Sequence, residues 1–247
     1  MTLILAVKYR EEDGSSGIAI RSDTTCAIKD SPQIGQVRKV KPLNLPDIFP
    51  PLVLGMAGTY NGVEIIHQEV EEAVSPHILE DGAEYASAWV QYHLMSAYHH
   101  GIAQHQLLAC INGNKTQLSV LNRDRNKGIE LAECNGIGCF YEEVRRILEG
   151  DYHESMTWKE AMVLMDKCFR VAKGIAELMD PEMRTLPIDL GDHVLDIVLS
   201  GTRREKIKAK SHPTVINGYE ISKLTRHGYE RVASSLDDEQ FMGLPPV

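Results

Sequence analysis

A chain of 247 residues with 43% hydrophobic content can bury a core without disulfides or metals, as one large domain with an appendage or as two small domains. Its net charge of −9 denies the chain as a whole the basic footprint of a nucleic-acid binder. Five cysteines (Cys26, Cys110, Cys134, Cys139 and Cys168), odd in number and without a C-x-x-C pair, argue against a disulfide framework and for a reducing, cytoplasmic setting. Cys134 and Cys139 are too isolated to suggest zinc.

The apolar run at 3–7, LILAV, is ended by Lys8 and Arg10, too early for a signal peptide or a membrane span. Residues 2–9 and 17–23 flank a Gly-containing turn at 11–14 and predict a β-hairpin. Strands are expected at 36–41 and 51–57. Val63, Ile66, Val70 and Val74 then recur at helical spacing over 60–74. A second helix over about 82–99 carries Ala86, Trp89, Val90, His93 and Ala97 on one side. Strands return at 106–112 and 117–121 around a G-N-K turn, and again at 128–134. Helices at about 139–149 and 157–179 follow, the latter with Ala161, Leu164, Cys168, Val171 and Ile175, and a last core strand is expected at 193–199.

Segregated runs of strands and helix pairs favour an α+β architecture with antiparallel sheets, two of which could stack with a helical pair on each outer surface. After Gly201 the composition shifts. A basic run at 203–210 and an ending in GLPPV divide the chain into a domain at 1–200 and a carboxyl-terminal extension at 201–247.

Chemistry is concentrated near the amino end. Removal of Met1 would give Thr2 a hydroxyl and a free α-amine on adjacent carbons. Such an amine has an unperturbed pKa of about 7.7–8.0, so it can take the hydroxyl proton near neutral pH, directly or through one water. A lysine close by, Lys39, would favour the neutral amine and the developing alkoxide, and an aspartate, Asp23, would orient that lysine. An ordinary ion pair between Asp23 and Lys39 is the competing reading. His93, His99, His100 and His105 lie close in sequence, but without H-E-x-x-H spacing they read as helix-end or solvated histidines rather than as a metal site.

The segments TLILAVKY, GIAIRSDTTCAI, QVRKVKPL and VLGMAGTYNGVEII, in this order and spacing, resemble the proteasome β-subunit and HslV family of amino-terminal-nucleophile hydrolases. The resemblance extends in element order over about 2–199, with its specific motifs in the first third. It implies a four-layer αββα sandwich in which Thr2 is the nucleophile, Asp23 the acidic residue ending the second strand and Lys39 the lysine of the third. It places the oxyanion-binding backbone N–H on Gly55 and a turn glycine on Gly58. Cys26, Val37, Lys41, Val53 and Ala57 would border the pocket for the residue preceding the cleaved bond, suited to a modest apolar or acidic side chain. The family's G-S-G turn stands here as Gly136, Ile137 and Gly138, and of its Asp-x-x-Ser-Gly only Asp180 has a counterpart. The implied activity is a threonine peptidase on peptides or unfolded proteins, without a cofactor, assembled as a homo-oligomeric ring and open to an ATPase activator. Two rivals share the fold: a connectase-like peptide ligase, and a ring-forming subunit without catalysis. No role with nucleic acid or membrane is expected.

Overall fold

The computed structural model describes residues 2–27, 34–57, 60–99, 105–112, 115–121, 129–179 and 218–236. The chain opens with β1 (Leu3–Arg10) and β2 (Ser16–Ser22), the expected hairpin, in which Ile4 stands opposite Ser22 and Arg10 opposite Ser16. A short ribbon, β3 (Thr25–Ala27) and β4 (Ile34–Gln36), comes next. The strand expected at 36–41 is divided: after β4 the chain crosses at 37–39 and restarts as β5 (Val40–Pro42), paired with β6 (Val53–Ala57). Val37 N–H donates to the Thr24 carbonyl at 2.7 Å, while the Lys39 carbonyl accepts from Met56 N–H at 3.0 Å. The backbone thus bonds to one layer before Lys39 and to the other at Lys39.

Two helices follow, α1 (Tyr60–Asp81) and α2 (Ala86–His99). Helix α1 runs past the expected end at 74 and past Pro76. An interior proline typically costs about 3 kcal/mol. Burial of Ile78 on the same stripe as Ile66, Val70 and Val74 opposes that cost. Strands β7 (His105–Asn112), β8 (Lys115–Leu121) and β9 (Ile129–Ala132) extend the second sheet in the order β5-β6-β7-β8-β9.

A second change of sheet occurs at Glu133. The single strand expected at 128–134 is β9 plus a separate β10 (Cys134–Gly138), which pairs with β1. Two glycines within five residues hide β10 from any propensity-based reading. Helices α3 (Tyr141–Asp151) and α4 (Trp158–Met179) lie where they are expected, α4 opening on a capping box in which Thr157 and Glu160 exchange backbone and side-chain hydrogen bonds.

Within the expected extension at 201–247, the described hairpin joins the first sheet. Strands β11 (Glu220–Thr225) and β12 (Gly228–Ser234) form a hairpin whose first strand pairs with β2, completing a sheet of order β10-β1-β2-β11-β12. The strand expected at 193–199, the basic run at 203–210 and Asp180 lie outside the described residues.

Three apolar clusters define four layers. Leu3, Leu5, Val7 and Tyr9 of β1 pack with α3 and α4, which bring Val144, Leu148, Ala161, Leu164, Cys168 and Ile175. Alternate residues Ile4 and Ala6, with Ile18 and Ile20 of β2, meet Val40, Val53, Leu107 and Ala109 of the other sheet. Leu54, Met56 and Leu108 face the opposite way onto α1 and α2. The architecture is therefore α+β, an αββα sandwich of two five-stranded antiparallel sheets. It also explains the uninterrupted run LILAV. A strand buried on both faces has no polar alternation to show.

Candidate active site

Residues 2–3, the end of β2 and the 37–39 crossing converge on one buried carboxylate. Asp23 Oδ1 accepts the N–H of Leu3 at 2.7 Å, and its Oδ2 accepts Lys39 Nζ at 2.7 Å and Thr25 N–H at 3.1 Å. Asp23 N–H in turn donates to the Leu3 carbonyl at 3.1 Å. Asp23 is fully buried and Lys39 is 4% exposed, so this is an ion pair inside the protein. Removing two charges from water costs several kcal/mol per ion, and such a pair persists only where hydrogen bonds complete its coordination. Here two backbone amides supply them.

Thr2 is buried beside this pair, its carbonyl accepting Cys139 N–H at 2.6 Å. Gly138 precedes that donor with φ of +103° and stands opposite Leu3 across the ladder. A Cβ on Gly138 would fall 1.9 Å from the Thr2 carbonyl oxygen, so only glycine lets the two backbones close at this point. The β1 and β10 edges thus hold Thr2 from one side and Asp23 from the other. The segment expected as a turn is the end of β10, and its middle residue, Ile137, is apolar and buried between the sheets, opposite Ile4.

The structure joins Asp23 to Lys39 and to the Leu3 amide, which follows Thr2 in the chain, but treats the other expected residues differently. Gly55 lies in mid-strand, opposite Val40 on one side and Leu107 on the other. Since Met56 N–H points to Lys39, the N–H of Gly55 points the opposite way, into the ladder with β7. An amide engaged in a sheet is not free to bind an oxyanion, so the expected role of Gly55 is not supported. Gly58 lies outside the described residues.

Among the expected pocket residues, Val53 is wholly buried between the sheets, which leaves it no surface for substrate. Val37 and Ala57 are buried, at 6% and 7% exposure. Lys41, on β5, exerts its charge on Glu220 of β11. The backbone of Cys26 is in β3, and its side chain lies outside what is described. Cys110, Cys134, Cys139 and Cys168 are free thiols. Burial pushes the Cys134 thiol up to about 11 and the Cys168 thiol to about 12, which makes both poor nucleophiles.

Of the histidines close in sequence over 93–105, the two whose side chains are described, His93 and His105, lie on different elements. His93 packs beside Trp89 and Tyr92, while His105 sits opposite Ala57 in the second sheet. His100 and the His99 side chain lie outside the described residues. No group of three metal-ligating side chains forms among the described residues, and no described helix is long and apolar enough to cross a membrane.

Sequence reasoning matched Gly138 to the family's G-S-G turn without giving it a part in holding Thr2, and it overlooked two contributors, the Cys139 amide and Glu220. Neither a backbone amide nor an acid 197 positions beyond Asp23 leaves any local trace in the sequence. No protein-family model matches the sequence, and no curated protein is significantly similar to it. Function must be argued from this geometry.

Proposed function

We propose that the protein is a threonine-type amide hydrolase in which Thr2, once it is the first residue, is the nucleophile. The observation that carries this reading is the shared carboxylate of Asp23, which binds Lys39 Nζ and the Leu3 amide at 2.7 Å each. One side chain ties a buried cation to the residue that immediately follows Thr2. An ion pair needed only for stability could be replaced by apolar residues at little cost, so its link to the residue beside Thr2 favours a chemical role.

In the proposed reaction the Thr2 α-amine takes the proton of its own hydroxyl, and Oγ attacks the substrate carbonyl carbon. The tetrahedral intermediate collapses as the scissile C–N bond breaks, the leaving amine receiving that proton. The resulting ester on Thr2 is then cleaved by water, which regenerates the hydroxyl and releases an acid. Lys39 supplies positive charge where negative charge develops, and Asp23 holds it there. Assembly into a homo-oligomeric ring, service to an ATPase activator and a cytoplasmic location belong to the same reading.

The test is incubation of protein lacking Met1 with a diverse peptide pool, read by mass spectrometry with and without a competing amine. Cleavage that disappears in Thr2→Ala, with fold retained, is the expected outcome. Joined rather than cleaved products would move the assignment to a ligase, and undiminished turnover by Thr2→Ala would end the proposal.

A further inference from the structure

The second carboxylate at this end of the sandwich comes from the far end of the sequence. Glu220 begins β11 and stands opposite Ser22, the residue before Asp23. Its Oε2 lies 3.2 Å from Nε of Arg38, the residue before Lys39. The pair Glu220–Arg38 therefore runs beside Asp23–Lys39, displaced by one residue on each partner. Glu220 is 1% exposed, and among the described residues neither of its carboxylate oxygens accepts a hydrogen bond. Ser22 Oγ, opposite it, is likewise buried without a hydrogen-bond partner among them.

We propose that Glu220, acting through Arg38, is a positioning residue for the Thr2 centre: the carboxyl-terminal hairpin contributes a buried acid that draws the 37–39 crossing onto the first sheet and so sets Lys39 against Asp23. The proposal rests on the reading of Thr2 as nucleophile. At the next position on the same face but one, Leu224 packs into the inter-sheet core. An apolar side chain at 220 would continue that core without any desolvation cost. A carboxyl without hydrogen bonds is a costly choice there, and such costs concentrate where function requires them.

The groups that face Glu220 are Arg38 from the crossing, Lys41 from β5 and Tyr229 from β12. Burial pushes the Glu220 carboxyl up to about 7, with the Lys41 charge pulling the other way. Near neutral pH the group therefore changes charge. Ionised, it attracts the Arg38 guanidinium and steadies the residue that follows. Protonated, it releases that attraction.

The experiment compares wild type with Glu220→Gln, whose neutral amide imitates the protonated form at every pH. Lys39 is followed by NMR of isotope-labelled lysine side chains from pH 5 to pH 9, and peptide turnover is measured over the same range. In wild type the Lys39 signal should show a step near pH 7 that is lost in Glu220→Gln. Turnover by the variant at pH 8 should fall about threefold to tenfold, in kcat rather than KM, and the difference should shrink to less than about twofold at pH 6. A Lys39 step that survives in Glu220→Gln overturns the proposal, as does an equal loss of turnover at every pH. Loss of the step in protein that turns over no peptide supports the positioning link and sinks the peptidase reading. Thr2-dependent turnover with an unmoved Lys39 signal does the reverse. Should Glu220→Gln fail to fold, Arg38→Gln cuts the same link at a partly exposed side chain, and a step that persists in it is equally fatal.

Discussion

Asp23 accepts three hydrogen bonds, from the Leu3 amide, the Thr25 amide and Lys39 Nζ, in a place without solvent exposure. Replacing it deprives a buried ammonium of its carboxylate and leaves two buried amides without that acceptor. Asp23→Ala should cost about 3–5 kcal/mol of stability. Thr2→Ala removes a small side chain at the start of β1 and should cost no more than about 1 kcal/mol. Urea unfolding of the two variants checks the contrast, and comparable losses would mean that the ion pair contributes little to the fold. At this scale the pairing of Asp23 with Lys39 was legible, because both are charged side chains close to each other in sequence. Gly55 misled, because a residue type says nothing about which way its amide points. That direction depends on the hydrogen bond from Met56 N–H to the Lys39 carbonyl, which fixes the parity of the whole strand.

Elements were legible where a single face is apolar. The stripe Ala161, Leu164, Cys168, Val171 and Ile175 is buried along α4 as its spacing predicts. Legibility failed where the chain changes sheets. The run at 36–41 looks like one strand, yet β4 and β5 belong to different sheets, and 128–134 conceals the same kind of break before β10. Helix α1 gives a sharper test of packing against propensity. If its last turn is held by burial beyond Pro76, Ile78→Ala should lower stability by about 2–4 kcal/mol. Were the helix to end at Pro76, leaving Ile78 at the surface, the loss in a denaturant titration would stay within about 0.5 kcal/mol.

Across the whole molecule, the carboxyl-terminal hairpin seals the β2 edge and carries Glu220 into the inter-sheet layer. Glu220 keeps its proton to about pH 7 in the folded chain, against an ordinary value near 4.5 when exposed. Between these values the folded state binds more protons than the unfolded one, so this group's contribution to stability falls as pH rises, the loss being complete above about pH 7. Its ceiling is about 3 kcal/mol, reduced by the opposing charges of Arg38 and Lys41. Thermal unfolding of wild type and Glu220→Gln between pH 4.5 and pH 8 should therefore diverge, with the variant relatively more stable at the higher pH. Parallel curves would show that Glu220 is ionised throughout. The sequence by itself determined the α+β class, the first hairpin and most helical stripes, because these rest on local periodicity, and it offered Asp23 and Lys39 as an ion pair. Only the tertiary structure decided that 220–234 belongs to the same sheet as β1 and β2 and that Gly138 and Cys139 close on Thr2. It alone also placed Glu220 beside Arg38, because pairings between distant strands depend on register and on the stacking of two sheets, which no local pattern encodes.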